Sequence, residues 1–136
     1  MHQIGVYFGR FCPPHRGHLN QIVEASTKCH KLIVVISDNE QETVDICEQA
    51  GLPVITYQLR KQWISQQVQD IEHIVVRVLN ESSIPRYPSG WALWCREMRN
   101  VVPEKIDAFF AGDVKFEKML QQHFPESVVE IFDPKR

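Results

Sequence analysis

The chain has 136 residues, with 15 Lys and Arg against 17 Asp and Glu, giving a formal net charge of −2. Hydrophobic residues make up 43%, including seven Phe and three Trp, enough to offset chain entropy; this excludes intrinsic disorder, and the length suits one domain. No apolar run approaches the roughly 18 residues of a membrane span, and the near-neutral charge argues against a duplex-DNA partner.

The elements follow in chain order. Residues 3–9 read as a short buried strand ending at Gly9, with no basic leader before it, so no signal peptide is expected and a cytoplasmic location is. Residues 10–17 are loop-like, with two prolines and a glycine. A helix is predicted from His18 to about Lys28, on the spacing of Leu19, Ile22, Val23 and Ala25. Residues 31–37 form a continuous apolar run, the mark of a strand covered on both faces. The stretch from Asp38 to Gly51 is polar and carries no clear period. Leu59, Trp63, Ile64, Val68 and Ile71 recur at helical spacing from Tyr57 to about Ile71. Residues 73–79 read as a strand, 80–90 as a turn-rich loop, and Trp91 to Val101 as a helix. A strand over 107–111, a helix from Val114 to His123 and a strand from Val128 to Phe132 complete the chain. Strands alternating with helices imply parallel neighbours, because each parallel pair needs a crossover. The expected architecture is a Rossmann-like α/β fold: a doubly wound, five-stranded parallel sheet with helices on both faces. Ligands of such sheets lie beyond the carboxyl ends of the strands, which directs attention to the loop after the first strand.

That loop reads Gly9-Arg10-Phe11-Cys12-Pro13-Pro14-His15-Arg16-Gly17-His18. Gly9 permits a sharp turn, Pro13 and Pro14 stiffen the segment, and Gly17 allows close backbone approach. His15 and His18 are three apart at a helix start, so both rings are expected to face one spot, beside the positive end of the helix dipole. Arg10 and Arg16 add positive charge. The combination suits a polyphosphate. The dinucleotide fingerprint GxGxxG is absent from this turn, and the P-loop GxxxxGK[ST] is absent from the chain. Cys12, Cys29, Cys47 and Cys95 form no CxxC pair and read as separate reduced thiols. Cys12-Pro-Pro-His15 lacks a partner pair, so no protein-held metal is expected.

The segment GRFCPPHRGH resembles the GxFxPxHxGH signature of the nucleotidyltransferase superfamily, which includes cytidylyltransferases and class I tRNA synthetases. The stretch from Asn80 to Trp94, with its YPSGWALW block, and the ending Asp133-Pro134-Lys135-Arg136 are similar to the adenylyltransferase domain of bacterial bifunctional NAD-biosynthesis proteins. The resemblance implies an adenylyl transfer from ATP, with Mg²⁺ carried on it, to nicotinamide mononucleotide, giving NAD and pyrophosphate without a covalent enzyme intermediate. It implies that His15 and His18 bind the ATP phosphates and that the Gly9-Arg10-Phe11 backbone contacts the nucleotides, with Gly17 in the same phosphate-binding loop. Trp91 is implied as the residue that stacks on nicotinamide, against simple core packing as the alternative, and Trp94 shares the candidacy. Asp113, after a strand end, is implied near adenosine. Arg60 stands where relatives carry basic residues, with a solvated surface Arg as the other reading. Superfamily members also carry an ISxTxxR motif after the last strand. Residues 1–136 are expected to be one nucleotidyltransferase domain without that segment. Two other functions stay open: transfer to a different phosphate acceptor, and nucleotide binding or sensing without turnover. No nucleic-acid or membrane partner is expected, and self-association is left open.

Overall fold

The computed structural model describes residues 1–85 and 89–132. Residues 86–88, which include Tyr87 and Pro88 of the YPSGW block, and the ending 133–136 lie outside the described residues. The elements are β1 (His2–Gly9), α1 (Arg16–Ser26), β2 (Cys29–Asp38), α2 (Glu40–Gln49), α3 (Tyr57–Gln67), β3 (Ile74–Asn80), α4 (Trp91–Val101), β4 (Ala108–Ala111), α5 (Glu117–His123) and β5 (Val128–Ile131). A single 3₁₀ turn, Val114–Phe116, leads into α5. The five strands form one sheet in the order β3-β2-β1-β4-β5, with every pair parallel. The chain winds outward from β1 through β2 to β3, then returns past β1 to β4 and β5. The carboxyl ends of β1 and β4 therefore flank the switch point, where crossovers diverge and leave a crevice.

Strand alternation sorts the core into two layers. Val6, Phe8, Ile33, Val35, Leu79 and Phe109 face α4 and α5, where Trp94, Met98 and Leu120 cover them. Tyr7, Leu32, Val34, Ile36 and Phe110 face the other way, onto Ile22 and Ala25 of α1 and Ile64 of α3. Residues 32–36 are wholly buried because β2 lies inside the sheet between two helical layers.

Four local readings change. The unassigned polar stretch is the helix α2. Asn39 caps it by accepting the Glu42 N–H at 3.1 Å, and Glu40 and Glu42 sit at the positive end of its dipole. Only Thr43 and Cys47 of α2 are buried, too narrow a stripe to show as a period. Helix α1 begins at Arg16 rather than His18, with His15 as its N-cap. Helix α3 stops at Gln67, where Val68 leaves helical geometry, rather than reaching Ile71. The expected helix from Val114 is split, because the Asp113 carboxylate accepts the Lys115 N–H at 2.9 Å and starts a 3₁₀ turn. The cysteines are free thiols but not all separate: Cys12 and Cys47 bring their sulfurs to 4.0 Å across the fold. Among the described residues no helix is long and apolar enough to cross a membrane.

Candidate active site

The loop leaving β1 turns at once. Phe11 takes a left-handed backbone conformation, φ 55°, which a bulky side chain rarely adopts. The turn sends its ring back into the core, 2% exposed, against Tyr7 at 5.8 Å and edge-on to His18 at 4.9 Å. Gly9 makes room for that ring, since a Cβ there would lie 3.1 Å from it. The glycine thus serves the loop's own packing as well as the turn.

His15 and His18 cap α1 reciprocally. The His18 backbone N–H donates to His15 Nδ1 at 3.3 Å, and the His15 backbone N–H donates to His18 Nδ1 at 3.2 Å. This is a capping box built from two imidazoles. The rings stack, with centroids 3.6 Å apart and planes inclined by 23°. Gly17 is where His15 crosses the backbone; a Cβ there would meet the ring at 2.9 Å. Because each Nδ1 accepts a backbone N–H, each neutral ring carries its proton on Nε2. Two N–H donors therefore stand side by side at the positive end of α1. Burial, and secondarily the neighbouring His15, push His18 down to about 4, so at neutral pH it acts as a neutral donor rather than a cation.

A cleft of about 620 Å³ opens at the carboxyl end of β1, on the face covered by α4. Its aromatic wall consists of Phe8, Trp91, Trp94 and Phe116. Trp94 is edge-on to Phe8 at 5.2 Å, and Trp91 is edge-on to Trp94 at 6.1 Å and to Phe116 at 5.6 Å. The opposing wall is charged. Arg10 pairs with Glu42 at 2.9 Å and with Glu81 at 3.5 Å, and the Trp94 indole N–H donates to Glu81. Burial pushes the Glu81 carboxyl up, an effect opposed by Arg10. Lys115 lies at the rim. Gly90, the residue before α4, closes this end: a Cβ there would fall 1.7 Å from the Pro85 carbonyl oxygen.

His15 and His18 do not line this cleft. They stand on the α1 side of the sheet, while the aromatic wall belongs to the α4 side, and Gly9-Arg10 runs between the two. The two imidazoles do meet at one spot, as expected, and the aromatic cleft adjoins it as a separate region. Arg10 lies at their junction, but its charge is engaged by two carboxylates. Trp91 and Trp94 both line the cleft, Trp94 more deeply buried, and Trp91 also packs against the core. Arg60 requires a correction. It is neither a cleft residue nor a solvated one, being 0% exposed. Its guanidinium pairs with Asp38 and donates to the Arg10 carbonyl at 2.8 Å and to Thr43 Oγ1 at 3.4 Å. It ties α3 to the ends of β1 and β2 and so supports the loop from below. Asp113 is exposed, caps the 3₁₀ turn and is not among the cleft residues. Glu42, Glu81, Lys115 and Phe116 were not singled out from the sequence. Glu81 lies inside the segment that carries the family resemblance, which was its only signal.

This fold and these paired imidazoles define a class. The cytidylyltransferase-like family matches residues 6–130, and the chain belongs to that family, within the nucleotidyltransferase superfamily. Over 139 aligned residues it is 26% identical to the trifunctional NAD biosynthesis/regulator protein NadR of Escherichia coli, covering 98% of this chain and 33% of the relative. The NadR of Salmonella typhimurium is 28% identical over 105 residues, covering 75% of this chain and 25% of the relative. A crystal structure of NadR in complex with NR superposes with a TM-score of 0.81 at 26% identity, covering 98% of this chain and 37% of that one. The chain therefore spans about a third or less of the length of the curated relatives it matches.

Proposed function

We propose that the chain is a nicotinamide-nucleotide adenylyltransferase that joins ATP, supplied as its Mg²⁺ complex, to nicotinamide mononucleotide, giving NAD and pyrophosphate. The observation that carries this reading is the imidazole pair. Both Nδ1 atoms are committed to the backbone, so both Nε2–H groups are held ready for anionic oxygens at a helix N-terminus, next to an aromatic cleft. An oxygen of the mononucleotide's 5′-phosphate attacks the α-phosphorus of ATP. The bond from that phosphorus to the bridging oxygen breaks, and pyrophosphate leaves. His15 and His18 donate to the phosphate oxygens where charge grows, and their fixed geometry means that no reorganisation is needed at the moment of transfer. The nicotinamide ring occupies the cleft against Trp91 and Trp94, where a cationic pyridinium over an indole face gains about 0.5–2 kcal/mol. Gly9-Arg10 lies between the subsites and sets the acceptor phosphate in line with the α-phosphorus. Relatives described as NAD-biosynthesis proteins, and a NadR crystallised with NAD and AMP-PNP at 28% identity, support the same choice. The reaction would take place in the cytoplasm.

Incubation with ATP, Mg²⁺ and nicotinamide mononucleotide, followed by chromatographic detection of NAD and pyrophosphate, tests this reading. Stoichiometric appearance of both products is expected. Product formed only with another phosphate acceptor in a parallel panel would replace the acceptor. Binding of nicotinamide mononucleotide with no NAD formed would assign the chain to nucleotide binding or sensing.

A further inference from the structure

We infer that Cys12 and Cys47 are a dithiol that a hydroperoxide oxidises to a disulfide, tying the loop before His15 to α2. The two residues are 35 positions apart in sequence, yet their Sγ atoms are 4.0 Å apart. They differ in a way that assigns their roles. Cys12 is partly exposed in the loop and within reach of a small oxidant, whereas Cys47 is 1% exposed and lies on the buried side of α2. The Cys47 sulfur accepts the Ile55 N–H at 3.3 Å, which fixes its position. Cys29 and Cys95 are buried in opposite core layers and have no cysteine partner among the described residues.

The chemistry balances with a hydroperoxide as oxidant. The Cys12 thiolate attacks the terminal peroxide oxygen, the O–O bond breaks, and Cys12 becomes a sulfenic acid while water or an alcohol leaves. The Cys47 sulfur then attacks the Cys12 sulfur, the S–O bond breaks, and a second water leaves with the thiol proton. Two thiols have lost two electrons and two protons to one peroxide. Burial, and then Cys47, push the Cys12 thiol up, against the lowering influence of Arg60 and Arg10, so oxidation is slow at neutral pH and quickens as pH rises. Closing the bridge takes the sulfurs from 4.0 Å to about 2.05 Å. Cys47 is held in a helix, so Cys12 and its loop make most of that move. Cys12 stands one residue after the left-handed Phe11 and three before the cap residue His15. A displacement there shifts the imidazole pair, and a shift of about 1 Å in a positioned group costs on the order of 100-fold in rate.

The test is to treat the native protein with hydrogen peroxide, alkylate the remaining thiols and map peptides without reduction. The expected product is one intrachain Cys12–Cys47 disulfide, undone by dithiothreitol. In Cys47→Ser the resolving thiol is gone, so Cys12 should be trapped as a sulfenic acid that dimedone labels. Overturning results are Cys12 carried to the sulfinic acid while Cys47 is still free, both thiols alkylated after oxidation, or a bridge to Cys29, Cys95 or a second molecule. Mapping of the wild-type protein decides the bridge even if the serine variant does not fold. A second arm rests on the proposed function: the bridged protein should lose at least about ten-fold in NAD formation and regain it on reduction. Unchanged turnover in fully bridged protein would overturn the coupling to the loop. Absence of NAD formation in reduced protein as well would count against the proposed function instead.

Discussion

Replacing His18 by asparagine separates the two tasks of the imidazole. Nδ1 of His18 accepts the His15 N–H at 3.2 Å, which leaves its Nε2–H for a ligand. The amide oxygen of asparagine can occupy the Nδ1 position, so the loop end of the capping box survives, but nothing replaces the Nε2–H donor. Losing one preorganised donor to developing charge costs about 100–1,000-fold in kcat, or roughly 2.7–4 kcal/mol. His15 stays as the N-cap in either variant, so His18→Ala loses only the bond from the His15 N–H to the His18 ring, about 0.5–1.5 kcal/mol of stability. His18→Ala should therefore lose both turnover and stability, whereas His18→Asn should lose turnover with its urea midpoint near that of the wild type. The KM for nicotinamide mononucleotide should move little in either variant, because under the proposed function the acceptor binds in the aromatic cleft, which His18 does not line. Initial rates of NAD formation and urea unfolding followed by tryptophan fluorescence give the two readouts. His18→Asn with kcat within three-fold of wild type would refute the assignment of the Nε2–H to the reacting phosphate.

Arg60→Met should cost about 3–5 kcal/mol in urea unfolding, because it strands the Asp38 carboxylate beneath the loop; the double change Arg60→Met with Asp38→Leu should recover most of the loss. Trp91→Ala should weaken nicotinamide mononucleotide binding about 2–30-fold by calorimetry while leaving the affinity for a non-hydrolysable ATP analogue within two-fold, which is the cation–π range. The stability of the wild type should fall on acidification. His18 goes from 6.5 unfolded to about 4 folded, so the unfolded chain binds more protons in between, and this contribution is present above 6.5 and lost towards 4. Glu104, held well below the usual carboxylate range by its hydrogen bonds from Arg77, adds a loss in the same direction at lower pH. Urea midpoints between pH 4 and pH 8 should show a shallower decline in His18→Asn than in the wild type, and identical profiles would refute the histidine contribution.

Two kinds of information lie in the linear chain. The apolar run of β2 and the helical spacing of α4 each report burial through their own period, and strands alternating with helices leave parallel crossovers as the economical topology. The imidazole pair is legible for a similar reason: residues three apart at a helix start meet within one turn, whatever surrounds them. The reading of Arg60 failed because its partners are scattered. A lone Arg on a helical segment looks solvated until Asp38, Thr43 and the Arg10 carbonyl, all at least 17 positions away in sequence, are brought beneath it. Glu81 and Glu42 meet Arg10 only because β2 and β3 stack beside β1, and Phe116 joins Trp91 only because the chain crosses back to β4. Cys12 and Cys47 pair for the same reason. Geometry within a helical turn is dictated by the backbone and is written in residue spacing. Contacts between distant segments depend on strand order and on which face each helix covers, and only the folded sheet decides those.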